Sequence, residues 1–234
     1  MLLACGDDEA APSNSLQNFV GTSTGIVSDS SVIACAGGAG DSINIYYYPE
    51  PGFSNHKLWQ LTNSEAEPSN FSNYIEVEAN KEDLFNGYLA FFPLTGLEAE
   101  TWFIVTGESS NELTIAQPIK VKQFSAPTEL NPDVLIVDNT NPLEPKFDWQ
   151  DGSNEGTVIY FQVVSDAEEN LVSGTYTFDK SWQFYDLSNV VLNIRDINPE
   201  PTLETDNTYN FTLMGVSRDN WVNMLVTADF ETKE

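Results

Sequence analysis

Apolar residues fall along this chain in short runs rich in Val, Ile, Thr, Tyr, Phe and Trp, cut by Gly, Asn, Asp, Ser and Pro. Side chains that suit a pleated surface, bounded by turn formers, predict strands. The runs place them at 31–36, 42–48, 56–61, 73–78, 87–94, 101–107 and 112–122 in the first half. In the second half they fall at 134–138, 145–150, 156–164, 171–178, 189–195, 207–217 and 221–231. Val190, Leu192 and Ile194 alternate with Val191, Asn193 and Arg195, the period of a strand with one buried face. Helical spacing is confined to Lys81–Phe85 and Lys180–Leu187, enough for a turn or two. The predicted class is all-β.

Seven strands in each of two stretches of roughly 100 residues suit two stacked-sheet sandwiches. Gln123-Phe124-Ser125-Ala126-Pro127-Thr128 separates the halves, and Pro127 is placed to open a new edge strand. Residues 6–18 are acidic, then rich in Ala, Pro, Ser and Asn, with few large apolar groups, as a tether is. The expected organisation is a tether over 1–18, a sandwich over 19–123 and a second over 124–234.

A near-repeat supports the division. Leu97-Glu98-Ala99-Glu100-Thr101-Trp102-Phe103 recurs in outline as Leu203-Glu204-Thr205-Asp206-Asn207-Thr208-Tyr209. An alternating strand follows each copy: Val105 and Gly107 in one, Phe211, Leu213 and Gly215 in the other. The pattern resembles the Leu-x-Pro-x-Thr-x-Tyr corner of fibronectin type III domains, with Ala99 and Thr205 at the proline position and Phe103 at the first tyrosine position. Trp149 suits the buried tryptophan of such domains, and Phe161-Gln162-Val163 their aromatic-x-Val strand. The resemblance implies tandem immunoglobulin-like (fibronectin type III-like) β-sandwiches, in which the corner tyrosine hydroxyl ties back to the backbone. Fold of this kind does not fix function.

Charge removes several classes. Nine Lys and Arg stand against 36 Asp and Glu, for a net charge of −27. A nucleic acid or bare anionic lipid would be repelled, so no nucleic-acid partner is expected and membrane attachment needs a covalent lipid. Hydrophobic residues at 41% and aromatics at 12% supply a core, and no run reaches the ~18 apolar residues of a membrane helix.

Leu2-Leu3-Ala4-Cys5 resembles the lipobox of bacterial lipoproteins, in which the cysteine, here Cys5, is acylated. Only three residues precede Ala4, whereas export needs an apolar core of about 7–15, so this reading expects a gene start upstream of Met1. Gly6-Asp7-Asp8-Glu9 resembles the acidic stretch that accompanies surface display in lipoproteins of the Bacteroidota. The resemblance implies an outer-membrane lipoprotein facing the cell exterior. The other cysteine, Cys35, lies in an apolar run and is expected to act as a small hydrophobe.

Catalytic chemistry finds little material. His56 is the one histidine, and nothing near Cys35 in sequence would lower a thiol pKa. The same scarcity leaves zinc sites of usual composition without ligands, so neither an enzyme nor a cofactor is expected. Calcium has oxygen ligands to draw on: Asp133, Asp138, Asn139 and Asn141 cluster in sequence, and Asp138-Asn139-Thr140-Asn141-Pro142 resembles the calcium-binding linkers of cadherins. The same dipeptides make plain turns. Sugar binding needs flat aromatics beside hydrogen-bonding side chains, and Trp59, Trp102, Trp182 and Trp221 offer them. Trp182, in a loop-like stretch, and Trp221, just past a predicted hairpin turn, are the expected exposed contacts. Two functions stay open: a structural or protein-interaction module at the surface, or a glycan-binding accessory of polysaccharide uptake.

Overall fold

Between Ser42 and Tyr47 the chain buries Ile43, Ile45 and Tyr47 on one face and turns Asn44 and Tyr46 to the other. That alternation recurs through a computed structural model that describes residues 12–63, 65–195 and 199–233. The first ten strands are β1 (Ile26–Val32), β2 (Ala34–Ala39), β3 (Ser42–Tyr47), β4 (Ser54–Leu61), β5 (Tyr74–Val77), β6 (Glu82–Leu84), β7 (Leu89–Thr95), β8 (Trp102–Glu108), β9 (Glu112–Ala116) and β10 (Ile119–Lys120). The rest are β11 (Leu135–Asp138), β12 (Lys146–Trp149), β13 (Thr157–Ser165), β14 (Leu171–Thr177), β15 (Ser181–Gln183), β16 (Val190–Asn193), β17 (Thr208–Ser217) and β18 (Val222–Glu231). The class is all-β.

The strands form four sheets. Sheet I runs β1-β9-β8-β4-β5, with β10 also on β8, and sheet II runs β2-β3-β7-β6. Sheet III runs β16-β14-β13-β17-β18, and sheet IV runs β11-β12-β15. Set aside β1, and sheets II and I have the first-second-sixth-fifth and eighth-seventh-third-fourth strand orders of an immunoglobulin sandwich. Sheets IV and III repeat the scheme without the strand equivalent to β6, adding β16 at the edge. Tandem immunoglobulin-like, fibronectin type III-like sandwiches are therefore the architecture.

Apolar packing then fixes the order of layers. Ile43, Ile45 and Tyr47 of sheet II meet Leu58, Phe103 and Val105 of sheet I. Phe147, Trp149 and Trp182 of sheet IV meet Tyr160, Val164, Phe211 and Leu213 of sheet III. A further cluster joins the sandwiches face to face: Cys35, Tyr46, Tyr48 and Leu89 pack with Phe161, Val163, Met214, Val216 and Val222. Sheets I, II, III and IV thus stack in that order. Strands β8 and β13 are buried on both faces, as their near-continuous apolar runs require. Phe161 and Val163 look toward the first sandwich, so it is Tyr160, Gln162 and Val164 that fill the second core side of β13.

Three expectations need correction. Of the tether predicted over 1–18, residues 1–11 lie outside the described residues, and its last three, 16–18, begin helix α1 (Leu16–Thr22) instead. The Ser15 side chain caps it, accepting from the Asn18 N–H at 3.3 Å. Leu16 is 0% exposed, and with Phe19 and Val20 it packs on Trp59, Tyr74 and Ile104 across the outer face of sheet I. The helical turns predicted in 81–85 and 180–187 are instead the short strands β6 and β15, where pairing to β7 and β12 overrides local spacing. Pro127 opens no edge strand. Glu129 makes a single parallel bridge to Met224 of β18, and a 3-10 turn at Pro132–Val134 carries the chain across to sheet IV.

Candidate functional site

The junction between the sandwiches is built by the turn of the β17–β18 hairpin. Ser217, Arg218, Asp219 and Asn220 form it, and Trp221 follows. The Ala36 N–H donates to Asn220 O at 2.9 Å, the Lys120 N–H to Asp219 O at 2.9 Å, and Asn220 Nδ2 to Pro118 O at 3.1 Å. The indole of Trp221 enters the core of the first sandwich, and its Nε1 donates to Ala126 O at 2.7 Å. The connecting segment is held as well. Thr128 N–H donates to Gly38 O at 2.9 Å, while its Oγ1 accepts from Gly38 N at 2.8 Å and donates to Val222 O at 2.7 Å.

Charge at this turn is arranged unevenly. Lys122 Nζ pairs with Asp219 Oδ1 at 2.9 Å, and Ser217 Oγ donates to the same carboxylate oxygen at 2.6 Å. Burial alone would raise the Asp219 carboxyl, but those two donors hold it below its usual range. Lys120 Nζ lies 5.5 Å from the ring centroid of Trp102. Arg218 at the apex is exposed. These groups border a groove of about 750 Å³ whose lining includes Trp102, Phe71, Gln117, Asp29, Glu155 and Arg218.

The structure buries both tryptophans expected from sequence as sugar contacts. Trp182 is 1% exposed, stacked on Phe147 and donating from Nε1 to Asp186 O at 3.0 Å, because the strand β15 that carries it pairs with β12. Trp221 is 0% exposed, because its indole enters the core of the neighbouring sandwich. Neither can stack on a ligand. Trp59 and Trp149 are buried too, and Trp102 is the half-exposed tryptophan of the five. Arg218 was not singled out by the sequence, although a cation in a turn of so acidic a chain was a usable signal.

The residues of the calcium set make separate hydrogen bonds instead of converging on one point. The Asp138 carboxylate accepts from the N–H and Oγ1 of Thr140 at 2.9 and 2.6 Å, Asn141 Nδ2 donates to Glu144, and Asn139 Nδ2 donates to Glu231 O. Asp133 sits in the 3-10 turn capped by Asn131. Among the described residues no three His, Cys, Asp or Glu side chains gather as a metal site. Cys35 and His56 lie on opposite sides of sheet II: the thiol faces the second sandwich, while the imidazole packs 4.8 Å from the inward ring of Tyr47. Burial pushes the Cys35 thiol up to about 12, and burial followed by the Lys81 charge lowers the His56 imidazole. So separated, the two cannot act together as nucleophile and base. The lipid-attachment residue predicted at Cys5 lies outside the described residues.

No family model matches the chain, and no curated protein does. Among solved structures, the FN1–FN3 domains of chicken CNTN1 align over 91% of this chain and 69% of their own, at 14% identity and a TM-score of 0.34. A two-domain fibronectin type III segment of chicken tenascin aligns over 86% of this chain and 97% of its own, at 13% identity and a TM-score of 0.28. The fold assignment rests on the strand pairing described above.

Proposed function

We propose that this chain is a non-catalytic, lipid-anchored module of the outer membrane, facing the cell exterior, that holds or spaces a partner as one rigid body. The observation that carries the reading is the insertion of the β17–β18 turn into the first sandwich, which leaves no free joint between the halves. Attachment through Cys5 draws on Leu2-Leu3-Ala4-Cys5, and a charge of −27 makes a covalent lipid the workable route to a membrane. A second reading, a glycan-binding accessory, is favoured by the groove beside Trp102.

Solution X-ray scattering tests the rigid body. A compact particle of 234 residues has a radius of gyration of about 17 Å. Agreement, with a profile that fits a single shape, is the expected result. A profile needing two bodies on a flexible joint would overturn the proposal. The anchor has its own check: intact mass of the protein from its native host should include an acyl addition at Cys5.

A further inference from the structure

We propose that the junction groove binds a saccharide carrying one acid group, a carboxylate or a sulfate. The inference rests on the second reading above, a glycan-binding accessory, and it names the ligand class.

Arg218 carries the argument. Among the described residues, Lys57, Lys81, Lys122, Lys146, Lys180 and Lys233 are all in ion pairs. Lys120 sits over Trp102, and Arg195 donates to the carbonyls of Leu171 and Val172. Arg218 alone has no ion pair, hydrogen bond or ring contact, in a chain with 36 acidic residues to choose from. Its neighbours Ser217, Asp219 and Asn220 are all bonded, so the turn that carries Arg218 to the groove is fixed while its side chain stays uncommitted. A guanidinium with its donors unspent can pair with a planar or tetrahedral oxyanion.

The rest of the lining selects the remainder of the ligand. Trp102 is half-exposed, with Lys120 over one face of its ring and the rest left to the groove, which Phe71 also lines. Gln117 both donates and accepts, and the exposed carboxylates of Asp29 and Glu155 accept from hydroxyls. Those two carboxylates repel a polyanion, such as an acidic peptide, yet suit a polyhydroxylated ligand with a single charge. A pyranose bearing one acid group matches ring, acceptors and cation together.

Calorimetric titration of the intact protein tests this. The probes are a neutral trisaccharide, the same trisaccharide with one terminal glucuronic acid, its singly sulfated counterpart, and an acetylated tripeptide with a free C-terminal carboxylate. At least one acid-bearing trisaccharide should bind, more tightly than the neutral one, and the two arms identify the acid. Arg218→Gln should weaken that binding about tenfold or more, as loss of a charge-assisted pair does, and leave the neutral trisaccharide unaffected. Trp102→Leu should weaken all the sugars. Tryptophan fluorescence should respond to the same ligands through Trp102. Binding by neither acid sugar, equal binding of the neutral sugar, indifference to Arg218→Gln, or preference for the tripeptide each overturns the proposal. Any of these would leave the scattering profile, and hence the rigid-module reading, untouched.

Discussion

The hydroxyl of Tyr209 accepts a hydrogen bond from the Glu204 N–H at 3.0 Å, closing the loop that leads into β17. The ring lies in the second core against Phe230. Tyr209→Phe keeps that packing and removes the tie, so we expect a loss of about 1 kcal/mol, read as a lower urea midpoint with an unchanged slope. The matching residue of the first sandwich, Phe103, is fully buried and has no such bond to lose; there Thr101 Oγ1 donates to Leu61 O at 3.1 Å. These corners were legible because spacing alone sets them: Leu97 to Phe103 and Leu203 to Tyr209 each deliver an aromatic to the core. The exposure of Trp182 and Trp221 was not legible. Each is covered by residues far away in sequence, Phe147 in one case and the Ala36–Ala126 region in the other.

Among elements, the β17–β18 hairpin has a double allegiance: its strands belong to sheet III and its turn to the first sandwich. Trp221→Ala would open a cavity in the first core and free an acceptor at Ala126 O. We expect a cost of about 3–5 kcal/mol, measured by denaturant unfolding. Near-native stability in that variant would show that the turn merely rests on the first sandwich. The elements themselves were largely readable, since β3, β4, β7, β8, β13, β17 and β18 follow runs of β-branched and aromatic residues. Two kinds escaped. The signal for α1 was present, with Ser15 as cap and Leu16, Phe19 and Val20 at helical spacing, but the surrounding Asn, Pro and Ser outweighed it. The three-residue strands β6 and β15 carry no period of their own and exist by virtue of β7 and β12.

For the molecule as a whole, sheets II and III pack face to face through one shared apolar cluster. A fragment ending at residue 123 would leave Tyr46, Tyr48 and Leu89 without their cover and lack Trp221 from its core. We expect this fragment to bind a hydrophobic dye and to melt without a sharp transition, whereas the intact chain should unfold in one step. A fragment that melts sharply at the temperature of the whole would refute that dependence. Stacking of this kind could not be read from sequence, because a strand buried on both faces looks the same whether a helix or a second sheet lies over it.

The tryptophan that completes the first core is residue 221 of 234. A ribosome delivers the amino-terminal half first, yet that half lacks its plug until residue 221 has been made. Translation therefore leaves it open for most of the chain's emergence, with apolar surface within reach of a chaperone or a translocase. Under the proposed export to the outer membrane, late closure would keep the early part threadable.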